Sequence, residues 1–168
     1  MNLEGSHTIN APRALVYASL IDPEVLQQCI PGCESLERTS PDTYAMTIRA
    51  GVGSIKGLFN GTVRMEDLRE PEHYRLVIEG KGRTGFLKGS GDFDLNEEGE
   101  ITIIRYSGEM QVGGMIASVG QRMILSAARM MASHFFKALE EQTLKRIYLT
   151  RPLGEGWGGV LARIGLLP

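Results

Sequence analysis

The chain has 168 residues, 42% hydrophobic and 23% charged, with 20 acidic against 18 basic side chains. That length fits one globular domain, which buries roughly 70% of its unfolded surface and needs no disulfide or metal staple. A formal charge of −2, with Lys and Arg scattered rather than striped, argues against nucleic acid as a partner.

The opening MNLEGSHTIN has neither a basic start nor an apolar run, so no secretory signal is expected. No apolar stretch reaches the roughly 18 residues of a membrane span. Leu3, Gly5, His7 and Ile9 alternate with polar residues and predict a strand. Asn10 and Pro12 then signal a helix start, with a short helix over Ala14 to Leu20. Asp22-Pro23-Glu24 repeats the signal for a second short helix, which Pro31-Gly32 ends. From Ser35 the pattern becomes strand-like. Tyr44, Met46, Ile48 and Ala50 share one parity, followed by Phe59, Gly61, Val63 and Met65. After Pro71-Glu72 come Tyr74, Leu76 and Ile78, then Leu87, Gly89, Gly91, Phe93 and Leu95. Ile104, Tyr106, Gly108, Met110 and Val112 complete the series. Short turns between such strands predict an antiparallel meander of about seven strands. Mid-strand glycines at 61, 89, 91 and 108 predict strong curvature.

From Met115 to about Ile147 the period turns helical, with an apolar stripe of Ile116, Val119, Met123, Ala127, Met130, Met131, Phe135 and Leu139. Arg122, Ser126, Arg129, Ser133 and Glu140 fall opposite. One helix of that length spans roughly 50 Å and needs a broad apolar partner, which only the concave sheet face offers. The stripe is rich in small residues (Gly120, Ala127, Ala128, Ala132) and faces glycine-bearing strands. Interiors pack near crystal density, so truncated walls on both sides predict a hollow with an apolar occupant. The wall is assigned to Tyr44, Met46, Phe59, Val63, Leu87, Phe93, Tyr106, Met110, Met123, Ala127, Met131 and Phe135, with Tyr44 or Tyr106 donating to a ligand carbonyl. Five of the eight methionines, adaptable apolar side chains, lie between Met110 and Met131. Residues 1–149 form the predicted ligand-binding domain. A Gly/Pro linker and a short amphipathic tail follow over 150–168, presenting Trp157, Val160, Leu161, Ile164 and Leu167 to a membrane or partner.

Chemical motifs are few. Gly80 to Gly85 spells GxGxxG, but a strand follows where a dinucleotide site needs a helix. Cys29 and Cys33 cannot make a four-ligand zinc site, and His7, His73 and His134 form no metal pattern. With so few cysteines the thiols are expected to be reduced, as in the cytoplasm. Asp92 and Asp94 alternate outward against Leu87, Phe93 and Leu95 and read as a solvated face. No nucleophile elbow or acid–base constellation occurs, so neither metal nor side-chain catalysis is expected.

Three segments carry a family resemblance. Ile30-Pro31-Gly32-Cys33 with Leu36-Glu37, Gly85-Phe86-Leu87-Lys88-Gly89-Ser90-Gly91, and Gln111-Val112-Gly113-Gly114 continuing through Ile116 to Arg122 and Phe135-Phe136 resemble the family of the carbon monoxide dehydrogenase G subunit (CoxG) over about residues 2 to 147. The resemblance implies the α+β helix-grip fold of START-like (SRPBCC) proteins: a curved antiparallel sheet on a long C-terminal helix, with two short helices after the first strand. It implies an accessory subunit of a molybdenum hydroxylase of the carbon monoxide dehydrogenase type. Such a protein would bind a quinone-like ligand non-covalently, an isoprenoid quinone or another apolar molecule, and link the dehydrogenase to the inner face of the cell membrane. Competing expectations are a ligand-free assembly or anchoring factor, and a small-molecule cyclase or hydrolase on the same fold. Burying the five apolar tail residues is worth about 10 kcal/mol against a similar ordering cost, so the tail alone would be a weak anchor. The alternative is that it packs on its own domain or on a second copy in a homodimer.

Overall fold

The computed structural model describes residues 1–150, with side chains described to residue 147. Strand β1 spans Asn2–Ile9, helix α1 Arg13–Leu20 and helix α2 Pro23–Cys29. Strands β2 (Cys33–Ser40), β3 (Thr43–Val52), β4 (Ile55–Arg69), β5 (His73–Gly82), β6 (Gly85–Glu98) and β7 (Ile101–Gly113) follow. A 3₁₀ turn over Met115–Val119 leads into α3, Gln121–Thr150. The seven strands form one antiparallel sheet in the order β1-β7-β6-β5-β4-β3-β2, so β1 joins the far edge of a simple meander.

Two-residue hairpins set the register. Val52 pairs with Ile55, Gly82 with Gly85 and Glu98 with Ile101. Gly53 and Gly99 supply the positive φ that tight turns of the right twist demand. GxGxxG is therefore the β5–β6 hairpin. Glycine pairs face one another across the sheet, Gly61 with Gly80 and Gly91 with Gly108. A Cβ at Gly61 would run into the Glu79 carbonyl, and one at Gly108 into the Ser90 carbonyl and the Gly91 Cα. Adjacent strands thus approach where no side chain fits, and the sheet bends around α3 there.

The long helix departs from expectation at its start. Gly120, with φ 92° and ψ 156°, separates the 3₁₀ turn from α3, so there is no continuous helix from Met115. The first short helix differs too. Pro12 takes the N-cap position without a side-chain bond, and Asn10 instead donates its backbone N–H to Glu140 Oε2 at 3.4 Å. Asp22 caps α2 as expected, accepting from the Glu24 N–H at 2.9 Å.

At one end of the sheet α1, α2 and the C-terminal half of α3 pack tightly. Ile9, Leu15, Val16, Leu20, Leu139 and Ile147 are buried there. Thr143, fully buried, donates to Leu139 O at 2.7 Å and lies 3.2 Å from the Ser19 hydroxyl on α1. The Arg146 guanidinium pairs with Asp22. Buried polar groups with partners fix how the helices seat. On the convex face His73 sits between Asp94 (Nδ1–Oδ1 2.7 Å) and Asp67 (Nε2–Oδ2 3.2 Å), while Arg75 pairs with Asp92 at 2.8 Å. Asp92 and Asp94 accordingly belong to an outward ion cluster.

Candidate functional site

Between the sheet and the N-terminal half of α3 lies an apolar cavity of about 420 Å³. Each strand contributes alternate residues, because one parity of a pleated strand points to the concave side. The helix contributes Ile124, Ala127, Ala128, Met131, Ala132, Phe135 and Phe136. Three of those seven are alanines, and Gly61 and Gly80 face them from the wall. Missing side-chain volume on both sides accounts for the hollow.

Eleven of the twelve residues assigned from the sequence lie on this wall: Tyr44, Met46, Phe59, Val63, Leu87, Phe93, Tyr106, Met110, Ala127, Met131 and Phe135. Met123 does not. It is 46% exposed and its Cε leans toward Gly53 at the β3–β4 tip. Met130 is 60% exposed, so the inward face of α3 is centred on Ile124, Ala128 and Met131 rather than on the stripe expected. The apolar run from Met123 to Met131 is too broad for periodicity to centre, and packing decides the phase. His134 is exposed and takes no part. Trp157, Val160, Leu161, Ile164 and Leu167 lie outside the described residues. The wall also includes Leu76, Ile78, Phe86, Val112 and Ile116, and residues from the two short helices, Leu20 and Leu26. Val112 shares the parity of Met110, and Leu76 and Ile78 share that of Tyr74, so alternation alone held that signal; Phe86, beside the β5–β6 hairpin, stands on the opposite parity from Leu87 and was not readable that way. The helical ones were hidden, since only tertiary packing brings α1 and α2 across the end of the sheet.

An aromatic row floors the cavity. Tyr74, Phe93 and Tyr106 are cross-strand neighbours on β5, β6 and β7. Tyr74 and Phe93 stack at 4.9 Å with 2° between planes, Phe93 and Tyr106 at 6.1 Å, and Tyr106 meets Phe136 of α3 at 5.2 Å. Tyr17 of α1 abuts Tyr74 edge-on at 6.0 Å. Gly5 stands opposite Tyr106 because a Cβ there would strike its hydroxyl.

Of the two polar handles expected, Tyr44 and Tyr106, the structure leaves only the second open and adds Tyr74. The Tyr44 hydroxyl is already committed: it donates to Ile21 O at 2.7 Å and accepts from Arg38 at 3.0 Å. Among the described residues, the hydroxyls of Tyr74 and Tyr106 make no protein hydrogen bond, and both rings line the cavity. Burial, with the Tyr17 and Tyr44 phenols beside it, drives the Tyr74 phenol far above its ordinary value of 10.0, so it stays a neutral donor. Besides tyrosines, the ionisable side chain on this wall is Glu79, which is exposed. Among the described residues no group of three or more His, Cys, Asp or Glu is placed to hold a metal.

Wall burial changes along the strands. Tyr44, Met65 and Tyr74 on the wall near the helical end, with Leu95 and Ile104 in the core beyond it, are buried to 4% exposure or less. Ile48, Ala50, Ile78, Phe86 and Val112 are half-buried and Gly51 is exposed. The cavity therefore opens toward the β3–β4 and β5–β6 tips, beside the 3₁₀ turn, whose Ile116 N–H donates to Thr84 O at 2.7 Å.

The fold is shared widely. A conserved protein from Geobacillus kaustophilus is 34% identical, over 86% of this chain and 96% of that one, with a TM-score of 0.83. The Zhui aromatase/cyclase from Streptomyces sp. R1128 superposes at TM-score 0.68 with 13% identity, over 93% of this chain and 99% of that one. A START superfamily protein from Mycobacterium smegmatis superposes at 0.66 with 15% identity, over 86% and 97%. These two show a common helix-grip fold. None of the curated proteins matches the chain. The family model of the carbon monoxide dehydrogenase G subunit (CoxG) matches residues 5–144, so the chain belongs to the CoxG family.

Proposed function

We propose that this protein is a ligand-carrying accessory subunit of a molybdenum hydroxylase of the carbon monoxide dehydrogenase type. It holds a quinone-like molecule and links the dehydrogenase to the membrane. The observation that carries the reading is the cavity: about 420 Å³, apolar on nearly every side, with the Tyr74 and Tyr106 hydroxyls as uncommitted donors. Water in an apolar hollow finds few polar partners on the wall, so an apolar guest displaces it at little cost. An aromatic ring bearing carbonyl acceptors satisfies both features: it stacks on the Tyr74–Phe93–Tyr106 floor and takes a phenol hydrogen bond. A flexible apolar tail would leave through the mouth. The wall offers no paired acid and base, so the proposal assigns no covalent step to this chain.

Titration with a short-chain quinone, read by quenching of tyrosine fluorescence, tests the reading. Saturation at tens of micromolar or below, and an isoprenoid quinone seen by native mass spectrometry of the purified protein, are the expected results. A protein that is ligand-free as purified and shows no saturable change refutes it.

A further inference from the structure

Charge is segregated along the fold, and the segregation coincides with the cavity mouth. Residues 43–65, 80–91 and 110–139 contain nine of the 18 basic residues, three in each segment, and none of the 20 acidic ones. In three dimensions these stretches include the β3–β4 tip, the β5–β6 tip, the 3₁₀ turn and the first five turns of α3; of the nine cations, Arg64, in register with Thr43 at the start of β3, and Lys137, in the C-terminal half of α3, lie away from the tips. Lys56, Lys81, Arg83, Lys88, Arg122 and Arg129 are all exposed, and among the described residues none has a carboxylate within 4.0 Å. Elsewhere Arg64, Arg69, Arg75 and Arg146 each hold a carboxylate, while among the described residues Arg13, Arg38, Arg105, Lys137 and Lys145 do not. At the tip end Arg49 alone does, through Glu34 at 3.1 Å. Besides Glu34 of β2, the nearest strand acids are Glu79 and Glu109, three and four residues short of the ends of β5 and β7, and Glu79 faces Lys88 in register.

The same end carries the exposed methionines. Met115 is 61%, Met123 46% and Met130 60% exposed, on the 3₁₀ turn and the outer face of α3 beside Arg122 and Arg129. A second hollow of about 330 Å³, between Arg49 and Lys56 on the β3–β4 tip, adds an open basic recess next to the mouth. A protein of net charge −2 that gathers unpaired cations and solvent-exposed methionines at one end presents a surface matched to an anionic lipid bilayer. Cations meet the phosphates, and flexible apolar side chains enter the head-group boundary.

We infer that this tip face, rather than the C-terminal tail alone, docks the protein on anionic lipid with the cavity mouth toward the acyl chains. The inference rests on the reading of the cavity as a carrier site, and it names the surface on which an apolar guest enters and leaves without crossing water. The acid-free stretches contrast with the helical end, where Asp22, Glu24, Glu140 and Glu141 gather, so orientation follows from charge as well as from the methionines.

The test uses the full chain and K56E/R83E/R122E, three exposed sites off the cavity wall. Co-sedimentation is measured with vesicles of pure phosphatidylcholine and with vesicles containing about 30 mol% phosphatidylglycerol. The expected result is pelleting with the anionic vesicles only, weakened by about 0.5 M salt. The triple variant should lose binding by roughly fivefold or more per reversed charge, on the order of a hundredfold in all. Quinone titration of the variant should match wild type, which separates the docking face from the cavity. Equal pelleting on both lipids, or a variant that pellets like wild type, assigns membrane contact elsewhere and overturns the inference. So does a wild type that never pellets while the variant loses capture of a dehydrogenase, since the face is then a protein interface. Should the vesicle results hold while quinone titration fails for both proteins, the carrier reading falls and the docking face stands.

Discussion

Ala128→Leu gives opposite signs for a hollow interior and a closed one. Ala128 lies on the cavity wall between Ile124 and Met131 of α3. Leucine there adds three carbons. If they enter empty apolar space, burial at about 0.8 kcal/mol per carbon yields about 2.4 kcal/mol. The rotamer freedom lost by leucine returns about 0.5–1 kcal/mol, leaving on the order of 1.5 kcal/mol of stabilisation. For a chain of this size that raises Tm by about 3–6 °C. If helix and sheet were in contact, the same carbons would overpack the site and cost about 1–3 kcal/mol, lowering Tm instead. Ala138, packed against the core at the closed end of α3, is the internal control, and Ala138→Leu should lower Tm. Thermal denaturation followed by far-UV circular dichroism reads both variants, and quinone titration of Ala128→Leu should show weakened binding. A fall in Tm for Ala128→Leu comparable to that for Ala138→Leu would refute the cavity argument.

Three further outcomes follow from the site and its surroundings. Tyr74→Phe removes the buried donor while keeping the ring that stacks on Phe93 at 4.9 Å. It should weaken quinone binding by about 3–10-fold while leaving a hydrocarbon probe such as naphthalene unchanged, and equal affinity of both proteins for quinone would dismiss the donor role. For Asp22, burial disfavours the charge, but the Arg146 guanidinium and the Glu24 and Val25 amides outweigh it and hold the carboxyl below its ordinary 3.8. A depressed folded value stabilises above the unfolded one, so this contribution is present at neutral pH and is lost as pH falls through the acid range below about 5. Urea midpoints of Arg146→Gln between about pH 6 and 3 should show a shallower acid decline than wild type, and parallel curves would count against the linkage. Finally, burial, with the charge of Glu141, pushes the Cys29 thiol up to about 11, and burial raises Cys33 as well. Both should react slowly with a disulfide reagent at about pH 8 until the protein unfolds, and rapid stoichiometric labelling of native protein would show a reactive pair.

Alternation in the strands, the helix-start signals at Pro12 and Asp22-Pro23 and the long helical stretch near the end are local properties, and they were enough to determine the meander, the two short helices and the identity of most wall residues. Tyr44, Met46, Phe59, Val63, Leu87, Phe93, Tyr106 and Met110 all stand on the parity that the sequence assigns to the concave side. That works because a pleated strand sends every second side chain to one face, whatever its partners do. Helix α3 shows the opposite situation. Its apolar residues from Met123 to Met131 cover so much of the surface that 3.6-residue periodicity leaves the facing direction open. The stacking of Phe136 on Tyr106 and the burial of Leu139 turn Met123 and Met130 outward. The role of Tyr44 was likewise decided at long range, since its hydroxyl is taken by the carbonyl of Ile21, 23 residues earlier. Which phenols remain free for a guest, where the cavity opens, and that segments of the chain free of Asp and Glu meet at that opening are consequences of how distant strands and helices come together. No local pattern encodes them, because each depends on distances between elements rather than on the order of residues within one.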